Sequence, residues 1–449
     1  MPDYLDDLSA FLENTSFDDL PAPVLERARF VIADCVAAIA GGAAEPEMQR
    51  LVARMAGNGG GSSTVLGAGL RVEASRAAFL NGTAGTFLEM DEGNQFSRGH
   101  PGIHVVPAVL ALAEAMGRNG RDVLLAVILG YEVGARIGMA AKIRPSMHPH
   151  GTWGTTGAAV AVAKMMRADA RQFREIINIS SSLGLTTSRQ TMLQGGTVRN
   201  SFSGFSGQIG LMCWDMLQSG FTGEHDGLSS VWGKVISESF NPGEMTEELG
   251  ERWEITRNYF KRHACCRYNH GALDALAKLG MKQQLQADQI ARVDVETYSL
   301  AVELDDQNPQ NTLAGKFSVP FAIATTIIHG SSGVGSFTWE AIRRDDIQEL
   351  ADRVIVREDR SLTAMMPDFR PARVTITFTD GTTATAETKT NRGDSEDPYD
   401  EAELTEKYYE LTSRLIEHDT AADLHEGIMH LEEIADIRNL LRPLSAVQA

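Results

Sequence analysis

The residues best suited to chemistry lie in one run, residues 79–114. Three acidic side chains, Glu89, Asp91 and Glu92, are followed at a short distance by His100. They occupy a glycine-rich, irregular segment between two apolar stretches that have the character of helices. Carboxylates beside a histidine are the groups that proton transfer or metal binding needs. The pattern leaves three interpretations open: proton transfer or substrate binding, a metal site, or a solvated acidic loop with a structural histidine.

Two further segments carry side chains that suit an anionic ligand. His148 and His150 precede a glycine-rich helix start, where backbone N–H groups and imidazoles can face an anion. The same pattern also suits a helix cap. Arg199 follows a double glycine, and a guanidinium there is able to hold a carboxylate with two hydrogen bonds. An exposed structural arginine is the alternative interpretation of that position.

A fourth segment gathers positive charge, because Lys261, Arg267 and His270 lie around the adjacent Cys265 and Cys266. A basic patch in a chain whose net charge is −19 indicates an anion site. Lys261 could bind a carboxylate or, if desolvated, act as a base. The two cysteines lack the spacing of a zinc site, and their apolar neighbours favour buried, reduced thiols.

The elements that must position these groups change character near residue 258. Residues 1–257 contain long apolar stretches with helical spacing, and residues 397–449 return to helix. Residues 258–396 contain alternating runs rich in β-branched residues, with Asp380-Gly381 as a hairpin signal between two of them. We therefore predict a mostly α fold, in which a discontinuous all-helical domain carries an inserted, smaller α+β lid domain. The active site is expected in the cleft between the two domains.

Composition argues against several classes of protein. The net charge of −19 over 449 residues disfavours nucleic-acid binding, which needs a basic face. The acidic N-terminus lacks the features of a signal peptide, and we expect no apolar run long enough to span a membrane. We therefore expect a cytoplasmic protein. The sequence also lacks a P-loop, a dinucleotide-binding glycine motif and a G-x-S-x-G elbow.

Taken together, these segments resemble the MmgE/PrpD family, which includes 2-methylcitrate dehydratases, cis-aconitate decarboxylases and iminodisuccinate epimerase. The resemblance covers nearly the whole chain and rests on the order and spacing of several motifs. In chain order they are LNGTAGTFLEMDEG, HPGIHVVPAVLALAE, GYEVGARI, HPHGTWGTTGAA, GTVRNSFSGFSGQIG, SGFTG, FKRHACCRYNH, KFSVPFAIA and RGDSEDPYDEAELTEKYYEL.

The resemblance implies a homodimer with an active site at the domain interface, no organic cofactor and no iron–sulfur cluster. We also expect no metal site. The resemblance also implies a small polycarboxylate substrate and a shared step that moves a proton next to a carboxylate. By position, Asp91 matches the aspartate of the family's acidic motif, and His100 matches its His-Pro histidine. His148, Lys261 and Cys266 match the histidine, lysine and cysteine of later motifs.

Three departures from the family pattern bear on the reaction. Arg199 stands where many members have lysine, which keeps the charge but disfavours a lysine-based proton shuttle. Gly93 replaces the hydroxyl residue that ends the acidic motif, and the spacing to His100 is one residue longer. Phe321 stands where decarboxylases place a catalytic tyrosine. Because a phenyl ring cannot donate a proton, this residue disfavours cis-aconitate decarboxylation.

The leading functional hypothesis is a cofactor-independent lyase or isomerase, similar to 2-methylcitrate dehydratase, that acts on a di- or tricarboxylic acid. His100 would be the main acid–base group, oriented by Asp91 or Glu92, with Lys261 as a second base. The alternatives are an epimerase of an amino or imino dicarboxylate, similar to iminodisuccinate epimerase, and a non-catalytic carboxylate-binding protein. The side chains expected to bind substrate are Arg199, His148, His150, Arg267 and His270.

Overall fold

The computed structural model describes residues 3–57, 60–281, 285–442 and 444. It is 58% helix and 11% strand, which confirms the prediction of a mostly α fold. The α-helices are α1 (Tyr4–Asn14), α2 (Ala22–Ala43), α3 (Pro46–Met55), α4 (Ala74–Gly85), α5 (Pro101–Met116), α6 (Gly120–Ala140), α7 (Gly154–Met165), α8 (Ala170–Ser181), α9 (Arg189–Leu193), α10 (Phe202–Gln218), α11 (Arg267–Gly280), α12 (Ser299–Val302), α13 (Thr312–Lys316), α14 (Val319–His329), α15 (Trp339–Ile342), α16 (Asp345–Ala351), α17 (Arg360–Thr363), α18 (Glu401–Thr412), α19 (His418–Met429) and α20 (Ile437–Leu441).

The strands are β1 (Ser63–Val65), β2 (Leu70–Val72), β3 (Gly93–Asn94), β4 (Ala141–Ile143), β5 (Ser237–Phe240), β6 (Asn258–Tyr259), β7 (Ile290–Thr297), β8 (Val354–Glu358), β9 (Ala372–Phe378) and β10 (Thr383–Thr388). The largest sheet in the described ranges has four strands in the order β10-β9-β7-β8, with β7 and β8 parallel and the other neighbours antiparallel. The turn between β9 and β10 contains Gly381 with φ of 86°, as the hairpin signal predicts. The described ranges also contain the two-stranded pairs β1-β2, β3-β6 and β4-β5.

The helical core is built by helices that approach each other closely at small residues. A Cβ atom on Gly130 of α6 would lie 2.7 Å from Ala161 Cβ of α7. Gly42 shows the same effect, because a Cβ there would lie 1.9 Å from the carbonyl oxygen of Ala84 in α4. The sequence suggests a helix stop at Gly41-Gly42, but α2 continues to Ala43. These glycines therefore serve helix packing rather than termination.

Helix α6 corrects the expectation that the chain has no membrane-length apolar run. It spans Gly120–Ala140 with a mean hydropathy of 1.7, and it alone in the described ranges has the length and composition to cross a membrane. However, 89% of its apolar window is buried inside the protein. Packing against neighbouring helices therefore accounts for its apolar character.

The small sheets in the C-terminal part agree with the prediction of mixed structure after residue 258. The boundaries of the two proposed domains, 1–257 plus 397–449 and 258–396, stay a prediction. Residues 1–2 and 445–449 of the proposed helical domain lie outside the described residues. The short strand pairs within the first 260 residues were not predicted, since runs of two to four residues carry too little alternation to be recognised.

Candidate active site

A partly enclosed cleft contains most of the candidate residues. It holds about 570 Å³ of free space, including its mouth. Five predicted residues line it: His100, His148, His150, Arg199 and Arg267. Side chains that were not predicted as site residues also line it, among them Glu89, Gln95, Tyr259, Tyr268, Phe317 and Arg370. Asp91, Glu92, Lys261 and His270 are not part of this lining.

His100 is the N-cap of α5, directly before Pro101 at the first helical position. Its Nδ1 lies 2.7 Å from the carbonyl oxygen of Glu92 and 3.1 Å from Oδ2 of Asp91. Because both neighbours are acceptors, Nδ1 carries the proton. Nε2 then has a free lone pair, and no protein partner lies within hydrogen-bond distance of it in the described part of the chain.

Asp91 is the carboxylate that stabilises a positive charge on His100. Its side chain is completely buried. Burial alone would raise the pKa of Asp91, but the charge that His100 carries once protonated, together with the charges of Lys261 and Arg199, outweighs this and lowers the pKa below its usual range. Asp91 therefore stays ionised behind the imidazole, and it would stabilise the imidazolium that forms when His100 accepts a proton.

Glu92 has a different role from the one that the sequence suggested. Its carboxyl group points away from His100 and accepts hydrogen bonds from the backbone N–H of Gly102 at 2.7 Å and the hydroxyl of Tyr131 at 3.0 Å. Burial raises the pKa of Glu92 to about 8, and the nearby Asp34 adds to the shift. Only its backbone carbonyl contacts His100, so Asp91 alone supplies the orienting carboxylate.

Glu89 joins two of the predicted cations inside the protein. Its carboxylate forms a buried ion pair with Arg199 and lies 3.6 Å from Nζ of Lys261. Lys261 also donates a hydrogen bond of 2.9 Å to the backbone carbonyl of Glu89. Glu89 has φ of 56°, a left-handed conformation that is unusual for this residue type and that is often found at functional sites. Glu89 thus engages Lys261 away from the cleft lining. This position does not suit a second base, which would have to reach the substrate.

The two histidines of the His148–His150 segment lie beside Arg199. Its Nε is 3.5 Å from Nε2 of His148, and its Nη2 is 3.4 Å from Nε2 of His150. Nδ1 of His148 accepts a hydrogen bond of 3.0 Å from the backbone N–H of His150. Burial, followed by the charge of Arg199, lowers the pKa of both histidines well below the ordinary value. Both are therefore neutral at pH 7.

A further histidine, His104, fixes the position of this segment. Its Nδ1 donates to the carbonyl oxygen of His100 at 2.7 Å, and its Nε2 accepts from the backbone N–H of Gly151 at 3.1 Å. Burial lowers its pKa to about 4, so it is neutral and both ring nitrogens are engaged. His104 therefore connects helix α5 to the histidine segment without reaching the substrate.

The C-terminal part contributes Arg267 and Tyr259 to the cleft. Arg267 forms a buried ion pair with Asp394, and its guanidinium lies over the Tyr259 ring, 4.6 Å from the centroid. The position of the Tyr259 ring requires a glycine at residue 93, because a Cβ there would lie 2.4 Å from the Tyr259 hydroxyl oxygen. The space beside Gly93 is thus occupied by the hydroxyl of Tyr259.

Of the other residues that the sequence singled out, Cys266 is part of the cleft lining, whereas His270, Cys265 and Phe321 are not. His270 is completely buried, and its Nε2 lies 3.3 Å from the carbonyl oxygen of Cys265, so it does not reach the substrate space. Cys265 and Cys266 are unpaired and buried, and burial raises the pKa of Cys266 to about 11. Both are therefore protonated thiols at pH 7, as the sequence suggested. Phe321 is buried against Phe337 and is absent from the cleft lining.

No group of three or more histidine, cysteine, aspartate or glutamate side chains is arranged to hold a metal ion among the residues that the structure describes. In the cleft itself, the side chains combine two imidazoles that each have a ring nitrogen without a partner, Nε2 of His100 and Nδ1 of His150, with several guanidinium groups. This combination suits proton transfer on an acid whose carboxylates are held by arginine.

Comparison with protein-family models agrees with this chemistry. The model described as the MmgE/PrpD N-terminal domain matches residues 6–244, and that of the MmgE/PrpD C-terminal domain matches residues 263–433. The chain belongs to the MmgE/PrpD family. The resemblance found in the sequence motifs is thereby confirmed.

Curated relatives within the MmgE/PrpD family are named as cis-aconitate decarboxylases. The protein from Aspergillus terreus is 24% identical over 465 residues, which is 96% of this chain and 94% of the relative. The protein from Homo sapiens is 25% identical over 398 residues, 84% of this chain and 80% of the relative. A cis-aconitate decarboxylase-like protein oryM from Aspergillus oryzae is 24% identical, with 95% and 94% covered. These names are consistent with a carboxylic-acid lyase in this family.

Gln95, Tyr259 and Arg370 of this MmgE/PrpD cleft were not predicted from the sequence. Gln95 follows the acidic cluster, Tyr259 precedes Lys261 by two residues, and Arg370 lies in a loop before β9. The signal for Tyr259 was its neighbour Gly93, because an unexpected glycine indicates close approach of another group. No local pattern marked Arg370, which comes to the cleft only through the tertiary fold.

Proposed function

We propose that this chain is a lyase that moves a proton at the carbon next to a carboxylate of a di- or tricarboxylic acid. The observation that carries the proposal is the arrangement of His100. Its Nδ1 is held by Asp91 and a backbone carbonyl, while its Nε2 is free in a cleft lined by arginines. A base of this kind beside cationic groups suits a reaction whose transition state carries negative charge on a carboxylate.

Dehydration of a hydroxy acid is the leading reaction. Nε2 of His100 would take the proton from carbon, and Asp91 would stabilise the resulting imidazolium. The C–O bond then breaks, the electron pair of the former C–H bond forms the alkene, and the hydroxyl leaves as water after it receives a proton. Tyr259 is the candidate donor of that proton, since its hydroxyl has no acceptor among the described residues and its ring lies 6.2 Å from that of His100.

Decarboxylation is a second candidate, favoured by the names of the relatives. In that reaction the C–C bond to the leaving carbon dioxide breaks, and a proton is delivered to carbon. Phe321 argued against it in the sequence, but this residue is not part of the cleft lining, whereas Tyr259 and Tyr268 are. Epimerisation needs two proton-transfer groups on opposite faces of one carbon, and the position of Lys261 behind Glu89 disfavours the pair first expected.

A panel of acids incubated with the protein in deuterated water separates these reactions. The panel contains citrate-like, malate-like and iminodisuccinate-like acids and cis-aconitate. NMR detects deuterium incorporation, and ultraviolet absorbance detects alkene formation. The carbon dioxide that is released is measured separately. An alkene formed without carbon dioxide supports dehydration, whereas carbon dioxide release supports decarboxylation. Deuterium incorporation with neither product supports epimerisation.

The matched control is His100→Asn, which keeps a polar side chain but removes the base. We expect this variant to give none of the signals that the wild-type protein gives. If neither deuterium nor product appears with any acid of the panel, the proposal of a proton-transferring enzyme is contradicted for that class of acids. Binding of the acids without turnover would then support a carboxylate-binding protein instead.

A further inference from the structure

Arg370 is the buried cation of the cleft that has no carboxylate partner. Its side chain lines the cleft and is only 5% exposed. No acidic side chain of the described residues lies within 4 Å of its guanidinium, and a buried charge without a partner is unfavourable. Three other arginines of the cleft do have such partners: Arg189 with Glu303, Arg199 with Glu89, and Arg267 with Asp394.

Several hydrogen-bond donors around Arg370 also lack acceptors. A guanidinium has five N–H groups, and Gln95 takes only two of them, through Oε1 at 3.0 Å and its backbone carbonyl at 3.1 Å. Nε of Arg370, Nε of Arg267 and Nε2 of Gln95 are buried and have no hydrogen-bond partner in the described part of the chain. A group of unused donors around an unpaired positive charge suits an anion that has several acceptor oxygens.

The backbone holds Arg370 in place before any ligand arrives. Its carbonyl oxygen packs against α11, where a Cβ on Gly271 would lie 2.8 Å from it. Strand β9 begins two residues later, at Ala372. On the other side, Gln95 belongs to the same loop as Asp91 and His100. The guanidinium is therefore fixed between the base-bearing loop and the C-terminal sheet, which lowers the entropic cost of binding a ligand.

We propose that Arg370, together with Gln95 and Nε of Arg267, forms a subsite for a second carboxylate of the substrate. The subsite is separate from Arg199, whose charge is already balanced by Glu89. It selects acids that carry a carboxylate beyond the one next to the reacting carbon, because only these supply the missing counter-charge. This inference rests on the proposed function, since it deepens the description of that same site.

Binding of unreactive acids tests the subsite without turnover. Tricarballylate has three carboxylates and butyrate has one, and neither carries a hydroxyl group. Calorimetry would measure both affinities for the wild-type protein, Arg370→Gln and Arg370→Lys. We expect Arg370→Gln to weaken tricarballylate binding by ~10- to 100-fold and butyrate binding by a few-fold only, with partial recovery in Arg370→Lys. Arg357→Gln, which changes an exposed arginine on β8, is the control and should leave both affinities unchanged.

Thermal unfolding of the same variants provides a second readout. Because Arg370→Gln removes an uncompensated buried charge, the free variant should melt no more than about 3 °C below the wild-type protein. A misfolded variant, or equal losses for both acids, would overturn the inference and indicate a structural role. If the wild-type protein binds both acids and Arg370→Gln binds them equally well, the subsite alone is wrong. If the wild-type protein binds neither acid, the proposed function fails as well.

Discussion

His100 depends on its two neighbours for the form in which it can act. The carbonyl of Glu92 accepts from Nδ1, and the carboxylate of Asp91 lies 3.1 Å from the same nitrogen, so the free nitrogen is Nε2. We expect His100→Asn to lower kcat by ~10²- to 10⁴-fold, the usual effect of losing a general acid–base group. Asp91→Asn should also lower kcat, because the amide does not stabilise an imidazolium. The measurement is steady-state kinetics on the acid identified by the panel.

The matched control for His100 is His418→Asn, since His418 is exposed and its side chain is 78% accessible. It should retain full activity. Circular dichroism of all three variants checks that the fold is kept. Activity of His100→Asn close to that of the wild-type protein would remove His100 from the mechanism.

Gly93 gives a second prediction at the level of the residue. Gly93→Thr restores the hydroxyl residue of the family motif, but its Cβ would lie 2.4 Å from the Tyr259 hydroxyl and 2.9 Å from the carbonyl of Gly99. We expect the substitution to reduce the free energy of unfolding by about 1–3 kcal/mol, the usual cost of overpacking. Urea unfolding measures it.

Removal of the tyrosine should relieve part of this overpacking. The double variant Gly93→Thr/Tyr259→Ala should lose less stability than the sum of the two single variants. Additive losses would mean that Tyr259 is not the group that excludes a side chain at position 93.

The reactive groups could be predicted from residue type, whereas their partners could not. Asp91, His100 and Arg199 were found because carboxylate, imidazole and guanidinium groups lay in recognisable motifs. The ion pair between Glu89 and Arg199 spans residues far apart in the chain, so no local pattern shows it. For the same reason, the position of Lys261 behind Glu89 appeared only in the structure.

Among the elements, the loop between α4 and α5 carries Asp91 and leads into His100, and contacts from other helices fix its position. Helix α2 contributes Asp34, whose Oδ2 accepts from the backbone N–H of Glu92 at 2.8 Å. Helix α18 contributes Lys407, whose Nζ donates to Asp34 and, at 2.6 Å, to the carbonyl of Met90. Both side chains are buried. Lys407→Met should therefore reduce the free energy of unfolding by about 3–5 kcal/mol, because Asp34 is left as an uncompensated buried charge.

Chemical denaturation compares Lys407→Met with Asp34→Asn/Lys407→Met. The double variant should recover part of the stability, since the remaining pair is neutral. If it is as unstable as Lys407→Met, the unpaired charge is not the cause. Activity should fall in both variants, because both lose the hydrogen bond from Lys407 to the loop.

Glu92 connects the same loop to α5 and predicts a pH dependence. Its pKa is raised by burial to about 8 in the folded protein, against 4.5 when unfolded. The folded state therefore binds the proton of Glu92 more tightly, so the contribution of this group to stability is fully present below pH 4.5 and is lost as pH rises toward 8. The side chain of Glu92→Gln is an amide, which does not titrate in this pH range. The stability of the wild-type protein relative to Glu92→Gln should fall by a few kcal/mol, as an order of magnitude, between pH 5 and pH 8.

The measurement is the free energy of unfolding of both proteins at several pH values. Their difference removes the contributions of other titrating groups, such as Glu132, whose pKa burial raises to about 7. A difference that does not change with pH would mean that Glu92 is ionised in the folded protein.

The long helices could be predicted because their apolar residues recur with helical spacing. For example, α6 lies within the first 257 residues, where long apolar stretches have helical spacing. The N-terminal strand pairs could not be predicted, and neither could the continuation of α2 through Gly41 and Gly42, which depends on contact with α4. Local sequence thus determines where an element forms, whereas its neighbours determine where it ends.

At the level of the whole molecule, the family membership favours an assembly of two chains, which stays a prediction. The chain has a mass of 48.8 kDa, and large apolar side chains such as Met212, Phe221 and Val235 are at least half exposed. We expect light scattering after size-exclusion chromatography to give twice the chain mass, because a second copy would cover apolar surface. A mass equal to that of one chain at micromolar concentration would contradict this.

The contact between Asp34 and Lys407 also determines when the site can be completed during protein synthesis. Asp34 leaves the ribosome early, and the loop that carries His100 follows soon after it. Lys407, which holds the carbonyl of Met90 in that loop, is made more than 300 residues later. The helices of the first half can pack while translation continues. The loop obtains its last contact only when α18 has emerged from the ribosome. The nascent chain therefore contains His100 well before Lys407 is available to fix the loop that carries it.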